Sequence, residues 1–527
     1  MHGMKTIAEN ANDFADLRTM AKGDCIYVDK TDYFHRLITD GGRKLFFIAR
    51  PRRFGKSLMI TTFKYIFQGR RELFKGLKID ATDYDWKIHP VIHIDFGSCA
   101  ASTYAAFSAA LPVVMKLSLA ESGYIYDEKI SPAMNFLNAV VWHFNRGTPC
   151  VVLIDEYDDP VARALANPVE AELIRSELAS IYGQIKGKTN MIRFLMITGV
   201  SKFTKMSVFS ALSNLTDISP LPEYAAMLGY TEEELDLYFG EHMAAHAKVM
   251  GLSDAAYRAE LKRWYNGYRF SVDTPVTVYN PVSTGLTFAG QRSEFRGTWT
   301  QTGRASTLMN YIKREGALQV DLDGGVSAIE SDFDVSDLNN MSPLGMLYQT
   351  GYLTIADYSQ GLYQLRVPDE EVKRDIAALL AGAWAGRDAQ WSASLGGKLR
   401  AGKWDDFFDG LKALYAKLPY GSHESGERKN EFSYQRPLCA LLAAQGFRYD
   451  PEVAQTSGRS DLIAEHPSGV WIFELKVDAS AEAALDQIKR KDYAAPYRAR
   501  NLPIWAIGLN FDSKTRGLIG AIHERLA

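Results

Sequence analysis

Cysteine is scarce: Cys25, Cys99, Cys150 and Cys439 are scattered along 527 residues and no two form a CxxC pair. That argues against a zinc ribbon or a disulfide framework and fits a reducing, cytoplasmic setting. Net charge is also small, −3, so a polyanionic partner would have to meet a local patch and not a basic body. No uncharged apolar stretch reaches the roughly 20 residues of a membrane span. The nearest, Phe107 to Ala120, is interrupted by Lys116, and no membrane partner is expected. Glu9, Asp13 and Asp16 break the basic-then-apolar layout of a secretory leader. Internal repeats and low-complexity tracts are absent too.

What is present is ordinary globular composition, 46% hydrophobic and 23% charged, over a length that calls for about two to four domains. The most informative stretch is Ala49 to Ile60, ARPRRFGKSLMI. A short apolar run, Leu45 to Ala49, reads as a buried strand. A loop comes next, and then Leu58 to Phe67 has helical spacing. Strand, loop, Gly55-Lys56-Ser57 and helix are the order of a phosphate-binding loop. Backbone amides and the helix N-terminus would cradle phosphates, Lys56 would reach the terminal ones, and Ser57 would hold Mg²⁺. Arg53, Phe54 and Leu58 complete the expected cradle. Arg50 stands where the motif usually begins with Gly, so a basic surface loop is the plain alternative.

A second apolar strand, Pro90 to Phe96, precedes two helical stretches. Then Cys150-Val151-Val152-Leu153-Ile154 runs into Asp155-Glu156. A buried parallel strand that delivers carboxylates at its C-terminal end is what a Walker B element requires. Asp155 would join the Mg²⁺ shell and Glu156 would polarise the attacking water. The alternative is a core strand ending in solvated acids. A further strand, Phe194 to Thr198, offers Thr198 as a γ-phosphate sensor, although a Thr ending a strand is often only a turn residue. Strands alternating with helices predict a parallel sheet covered on both faces.

At this point the sequence resembles the AAA-ATPase-like proteins of bacteria. The resemblance lies in YVDKT, FFIARPRRFGKSL, LFKGL, HPVIHIDF, VVLIDEYDDP, MITGVSKF, LSNLTDIS, WYNGYRF and YNPVS, over roughly residues 20–285. It implies an AAA-type P-loop ATPase fold binding ATP and Mg²⁺, with Lys56, Ser57, Asp155 and Glu156 in the roles above. Arg50 is then a family trait. A helical lid is expected from Gly229 to Arg263. Residues 340–373 read as helix, strand, strand, helix, a small winged-helix-like module. Oligomerisation is open, and Arg292, Arg296 and Arg304 are rival candidates for an arginine finger. Gly396 to Leu418 reads as a helical connector with glycine hinges. The expected domains are 1–228, 229–385, 386–420 and 421–527.

The last hundred residues read as αβββαβ: a helix from Glu431 to Gly446, three strands, a helix carrying Gln487 and a final strand, Pro503 to Leu509. Asp461 lies on one strand, and Glu474 and Lys476 lie on its hairpin partner with one residue between them, so both face one side. Asp461 and Glu474 could share a Mg²⁺ ion, with the Leu475 carbonyl as a further ligand, and Lys476 could orient water or phosphate. A hairpin with solvent-facing charges is the plain alternative. D-x12-E-x-K, flanked by Glu431 and Gln487, resembles the PD-(D/E)XK nuclease superfamily, although Ser460 stands where the name has Pro. That resemblance implies Glu431 in the metal shell, Gln487 with Tyr493 on the substrate phosphate, and Mg²⁺ or Mn²⁺ as cofactor.

Together these readings lead to an ATPase fused to a metal-dependent nuclease acting on DNA, with RNA left open. Its rival is a nucleotide-controlled switch whose nuclease fold only binds. Residues 421–527 hold fourteen Lys/Arg and fourteen Asp/Glu, a balance of zero. Nonspecific duplex binding usually needs a basic face. The available stripe would be Lys489, Arg490, Lys491, Arg498 and Arg500.

Overall fold

Leu45–Ala49, β1, is apolar at every position and buried at every position, as a central parallel strand must be. In the computed structural model it pairs in parallel with β4 (Ile192–Gly199) on one side and with β5 (Thr216–Asp217) on the other. Beyond β4 lie β3 (Cys150–Asp155) and β2 (Val91–Asp95), giving the order β2-β3-β4-β1-β5. The C-terminal ends of β1, β3 and β4 therefore converge, which brings the phosphate loop, the acids and Thr198 to one edge of the sheet. The structure describes residues 4–8, 12–19, 25–99, 101–201, 214–290, 294–298, 322–333, 342–416, 432–455 and 458–527.

The chain divides into two units, residues 1–298 with 326–369, and residues 299–325 with 370–527. In the first, helix Lys56–Phe67 packs on the sheet through Phe63 and Phe67, whose rings both lie 5.1 Å from Phe194. Helix Tyr104–Glu121 is long and apolar enough in composition to cross a membrane. It nevertheless carries Pro112 and buries Phe107, Leu111, Met115 and Leu119 within this unit.

The acidic stretch after Gly229 forms two helices, not one. Glu232–Met250 starts with a Thr231/Glu234 capping box and stops at Gly251, which adopts the left-handed conformation. Ser253 then caps Asp254–Tyr265. Their apolar faces meet through Leu235, Phe239, Met243, Tyr257, Leu261 and Trp264. The WYNGYRF stretch forms a small hairpin, β6 (Asn266–Tyr268) with β7 (Val278–Tyr279). Only glycine fits at Gly267, where φ is 139° and an added Cβ would lie 2.0 Å from the Pro368 carbonyl oxygen. The expected helix-strand-strand order appears as Pro343–Thr350, β9 (Thr354–Ser359) and β10 (Leu362–Arg366). An upstream strand, β8 (Val326–Ile329), completes a sheet of order β8-β10-β9. The next helix, Glu370–Ala385, belongs to the second unit.

The second unit is built on β11 (Arg448–Gln455), β12 (Gly458–His466), β13 (Gly469–Val477), β14 (Ile504–Phe511) and β15 (Leu518–Arg525), hydrogen-bonded in that order. Only the β13–β14 pair is parallel. β15 is a strand that local sequence pattern does not announce, so the order is αβββαββ. One sheet face presents Trp471, Phe473, Leu475, Ile507 and Leu509 to helices that include Phe432–Ala444. The other presents Val470, Ile472 and Ala506 to Leu485 and Ile488 of helix Ala481–Lys491.

Of residues 386–420, expected as a helical connector with glycine hinges from Gly396 to Leu418, the described part runs to residue 416 and forms two packed helices. Helices Ala389–Arg400 and Trp404–Tyr415 bury Leu395, Leu399, Phe407, Leu411 and Leu414 in the same core as the nuclease-like sheet. Gly396 and Gly410 are contact points, not hinges. A Cβ on Gly410 would lie 2.0 Å from Leu395 Cδ2, and one on Gly396 would lie 2.1 Å from Gln445 Cγ.

Candidate active sites

In the first unit the turn after β1 leads into helix Lys56–Phe67 through Gly55, whose φ of 85° places it in the left-handed region at the N-cap. No side chain caps this helix, so its first amides are left for an anion, the arrangement that suits phosphate. Lys56 is buried and donates to the Arg50 and Pro51 carbonyl oxygens at 3.1 and 3.0 Å. Burial lowers its pKa while Asp155, Glu156 and Asp158 oppose that shift. Ser57 hydrogen-bonds Asp155, which is buried at the end of β3 and has its pKa raised by that burial. Ser57 and Asp155 thus stand together as a hydroxyl and a carboxylate that would hold Mg²⁺, so the residues fit the cofactor. Glu156 is pushed up to about 6, by burial first and then by Asp159.

Arg50 does not occupy the phosphate cradle. Its guanidinium is 2% exposed and donates to Ala49 O, Ser219 O and Tyr224 O at 3.0, 2.9 and 3.2 Å. It stacks 4.1 Å from the Phe270 ring centroid. Burial pushes its pKa down to about 10. Arg53, at φ 68°, donates to the Thr298 carbonyl at 2.9 Å, and Phe54 packs edge-on to Tyr268 and Phe270. Leu58 lies in the first turn of the helix and accepts from Thr62 Oγ1 at 2.6 Å. Thr198 is fully buried beside β1, opposite Ile48, and its Oγ1 has no partner among the described residues. Of the candidate finger arginines, Arg296 pairs with Glu294 at 2.5 Å, and Arg292 and Arg304 lie outside the described residues.

In the second unit Asp461, Glu474 and Lys476 converge on the face that carries helix Ala481–Lys491. Asp461 Oδ2 accepts from the Leu475 amide at 2.7 Å. Glu474 Oε1 accepts from Lys476 Nζ at 3.1 Å and from the Gln487 amide, while its Oε2 is buried with no partner among the described residues. Burial and then Asp461 push Glu474 up to about 7, against the pull of Lys476. Two carboxylates with one oxygen left unsatisfied are a donor set a divalent cation would complete. Among the described residues no third acid, His or Cys joins them. Glu431 lies outside the described residues. Gln487, expected on the substrate, bonds Glu474, and the Leu475 carbonyl, expected on the metal, accepts from Lys476 Nζ at 3.0 Å.

Sequence reasoning missed Gln435. It is buried on helix Phe432–Ala444, and its amide donates to the Asp461 carbonyl oxygen. Tyr493 Oη clamps the same strand at Arg459 O, 2.7 Å away. The only signal was spacing, since Gln435 lies one helical turn after Glu431. The basic stripe is largely engaged within the unit: Lys489 pairs with Glu524, Arg498 with Asp492 and Arg500 with Glu465.

Residues 11–209 match the family described as Predicted AAA-ATPase, and residues 429–520 match the PD-(D/E)XK nuclease superfamily. A protein of Azotobacter chroococcum mcd 1, described as an uncharacterized protein in the vnfD 5' region, is 33% identical over 97% of this chain and 98% of its own length. Among solved structures, the Aeropyrum pernix ORC2 protein in ADPNP and ADP complexes matches 67% of this chain and 93% of its own. With 14% identity and a TM-score of 0.28, that likeness carries no functional inference. The end-to-end match and the two domain assignments lead to one conclusion: the chain belongs to the AAA-ATPase-like family, with an AAA-type P-loop domain and a PD-(D/E)XK nuclease superfamily domain.

Proposed function

We propose that this protein binds and hydrolyses ATP with Mg²⁺ in its first unit, and cleaves DNA phosphodiesters with Mg²⁺ or Mn²⁺ in its second. Nucleotide state would gate or position the cutting. The observation that carries the nuclease half is the unpartnered, buried Glu474 Oε2 beside Asp461 and Lys476. A surface hairpin would leave those carboxylate oxygens to water. Bound there, a divalent cation supplies charge neutralisation at the scissile phosphate and an activated water. Lys476 and Gln487 hold Glu474 in place by bonding Oε1, which leaves Oε2 for the ion. Asp461 is fixed by the Leu475 amide and by Gln435 on its own carbonyl. In the first unit the uncapped helix end receives phosphate, Lys56 neutralises it, and Glu156 orients the attacking water. Four buried free thiols support a reducing, cytoplasmic setting.

The test is cleavage of labelled single- and double-stranded DNA and of RNA with Mg²⁺ or Mn²⁺, with and without ATP, in wild type, Lys476→Ala and Lys56→Ala. Cutting should vanish in Lys476→Ala and change in Lys56→Ala. A second reading, a nucleotide-controlled switch whose nuclease fold only binds, is favoured by the internal ion pairing of Lys489, Arg498 and Arg500. ATP turnover with no cutting of DNA or RNA under any condition would select it.

A further inference from the structure

The acids after β3 do more than terminate a strand. Asp158 sits immediately before the short helix Asp159–Ala164, where an aspartate usually bonds the first free amides, yet its side chain makes no such bond. It is 3% exposed and reaches to the turn that comes after β4. One carboxylate oxygen accepts from the Val200 amide at 3.2 Å. The other accepts from the Ser201 amide at 2.9 Å and from Ser201 Oγ at 2.5 Å. Tyr157 reinforces the junction, donating its Oη to Ser201 O at 2.7 Å and its amide to Thr198 O at 3.2 Å. Gly199 makes the approach possible, since a Cβ there would lie 2.3 Å from Asp158 Oδ1 and 2.5 Å from the Tyr157 ring.

The same turn is also tied to the phosphate loop. Asp159, 4% exposed, holds Arg52 at 3.3 Å and Arg163 at 2.6 Å. Between these anchors Glu156 is held at φ 47°, a conformation that non-glycine residues keep only where the surroundings over-determine it. The turn Glu156–Asp159 is therefore fastened on both sides, with Glu156 as its leading residue.

We propose that Asp158 is a positioning residue of the ATPase site, coupling Glu156 to the Thr198–Ser201 end of β4. The inference rests on the nucleotide reading of this site. Thr198 Oγ1 is buried without a partner among the described residues, at the end of the strand next to β1; under the nucleotide reading the group it would meet is the terminal phosphate of a nucleoside triphosphate. A phosphate bonded to Thr198 draws on the end of β4. Asp158, gripping residues 200 and 201, passes that displacement to the turn that carries Glu156. Asp158 touches no phosphate itself, and its charge bears on Lys56 only after those of Asp155 and Glu156, so its main effect falls on turnover and not on binding.

The experiment uses the full chain and measures steady-state ATP hydrolysis, the affinity for a fluorescent non-hydrolysable ATP analogue, and amide exchange of residues 199–201. Asp158→Asn, Ser201→Ala and the double variant are compared with wild type. Asp158→Asn should lower kcat about tenfold or more, with KM and analogue affinity kept within about threefold. The Val200 and Ser201 amides should exchange faster. Ser201→Ala should show a smaller loss, and the double variant should match Asp158→Asn alone, because both changes break one junction. Ser201→Ala removes a single hydroxyl and keeps the test decisive if Asp158→Asn fails to fold. Unchanged kcat in a wild type that turns ATP over, or a kcat loss matched by lost analogue binding, overturns the coupling alone. A wild type that binds no analogue overturns the nucleotide reading and the coupling with it.

Discussion

Replacing Arg50 with glycine would restore the residue with which phosphate loops usually begin, and it should damage the protein. The guanidinium lies in a fully buried pocket, where burial pushes its pKa from 12.5 to about 10. At about 1.4 kcal/mol for each tenfold change, that is roughly 3 kcal/mol against holding the charge there. At pH 7 the group is nevertheless cationic, because pH lies well below the folded-state value. The bonds to Ala49 O, Ser219 O and Tyr224 O offset the burial cost, each about 1.5–3 kcal/mol for a charged donor. The Phe270 face adds about 2 kcal/mol. Removing the side chain recovers the burial term but takes a charged donor from three carbonyl oxygens, of which Tyr224 O keeps the Met227 amide, and opens a void. The net loss should be about 2–5 kcal/mol, from the donors lost at those carbonyls and the void a large buried side chain leaves. For the first unit that is a fall in Tm on the order of 10 °C. The assay is a thermal melt with and without ATP, alongside Arg50→Lys, which keeps the charge but not the planar fork and should fall in between. An Arg50→Gly protein that melts with wild type, or that binds ATP more tightly, would refute the reasoning. Tighter binding would be the signature of an arginine that had been filling the phosphate cradle.

Other perturbations have equally definite outcomes. Lys56→Ala should abolish the thermal stabilisation that ATP confers, about 2.7 kcal/mol at a hundredfold excess over Kd, as read by melts across an ATP titration. Gln435→Leu removes the amide that holds the Asp461 carbonyl. It should weaken Mn²⁺ binding about 10- to 100-fold by calorimetric titration, the usual effect of losing a residue that orients a ligand. Gly410→Ala drives a methyl against Leu395 and should destabilise the second unit by about 1–3 kcal/mol in denaturant unfolding. A free connector would tolerate it, so an unchanged midpoint would return residues 386–420 to that role.

The parts of this fold legible in the sequence are those that chemistry ties to local pattern. Apolar runs leading to Gly-Lys-Ser or to Asp-Glu announce strands that bring Lys56, Ser57, Asp155 and Glu156 to one edge of the sheet. Alternation around Asp461, Glu474 and Lys476 places the acids on one face. What could not be read depends on distant partners. Arg50 in a loop reads the same whether it meets phosphate or three carbonyl oxygens from residues 49, 219 and 224. Gly396 and Gly410 signal flexibility when read locally, and only the neighbouring Gln445 and Leu395 reveal that they permit close packing. Gln435 stands between other polar residues, Ser433 and Arg436, in the first turn of its helix, and its target is a backbone oxygen twenty-six residues away. β15 escaped notice because it is mostly half-exposed, so its sequence lacks the apolar run that marks the central strands.

The ion pairs on the second unit also have a thermodynamic consequence. Binding to a polyanion draws on the release of condensed counterions, and log affinity falls against log salt with a slope of about −0.9 per phosphate neutralised on a duplex. A lysine or arginine already held by a carboxylate displaces no counterion until that pair is broken. With Lys489, Arg498 and Arg500 so engaged, Arg490 and Lys491 are the members of the stripe with no ion pair among the described residues. The isolated stripe should therefore grip duplex DNA with a slope near about −2, against roughly −4.5 for five free cations. Such a surface holds DNA loosely at any ionic strength and loses little of that hold as salt rises.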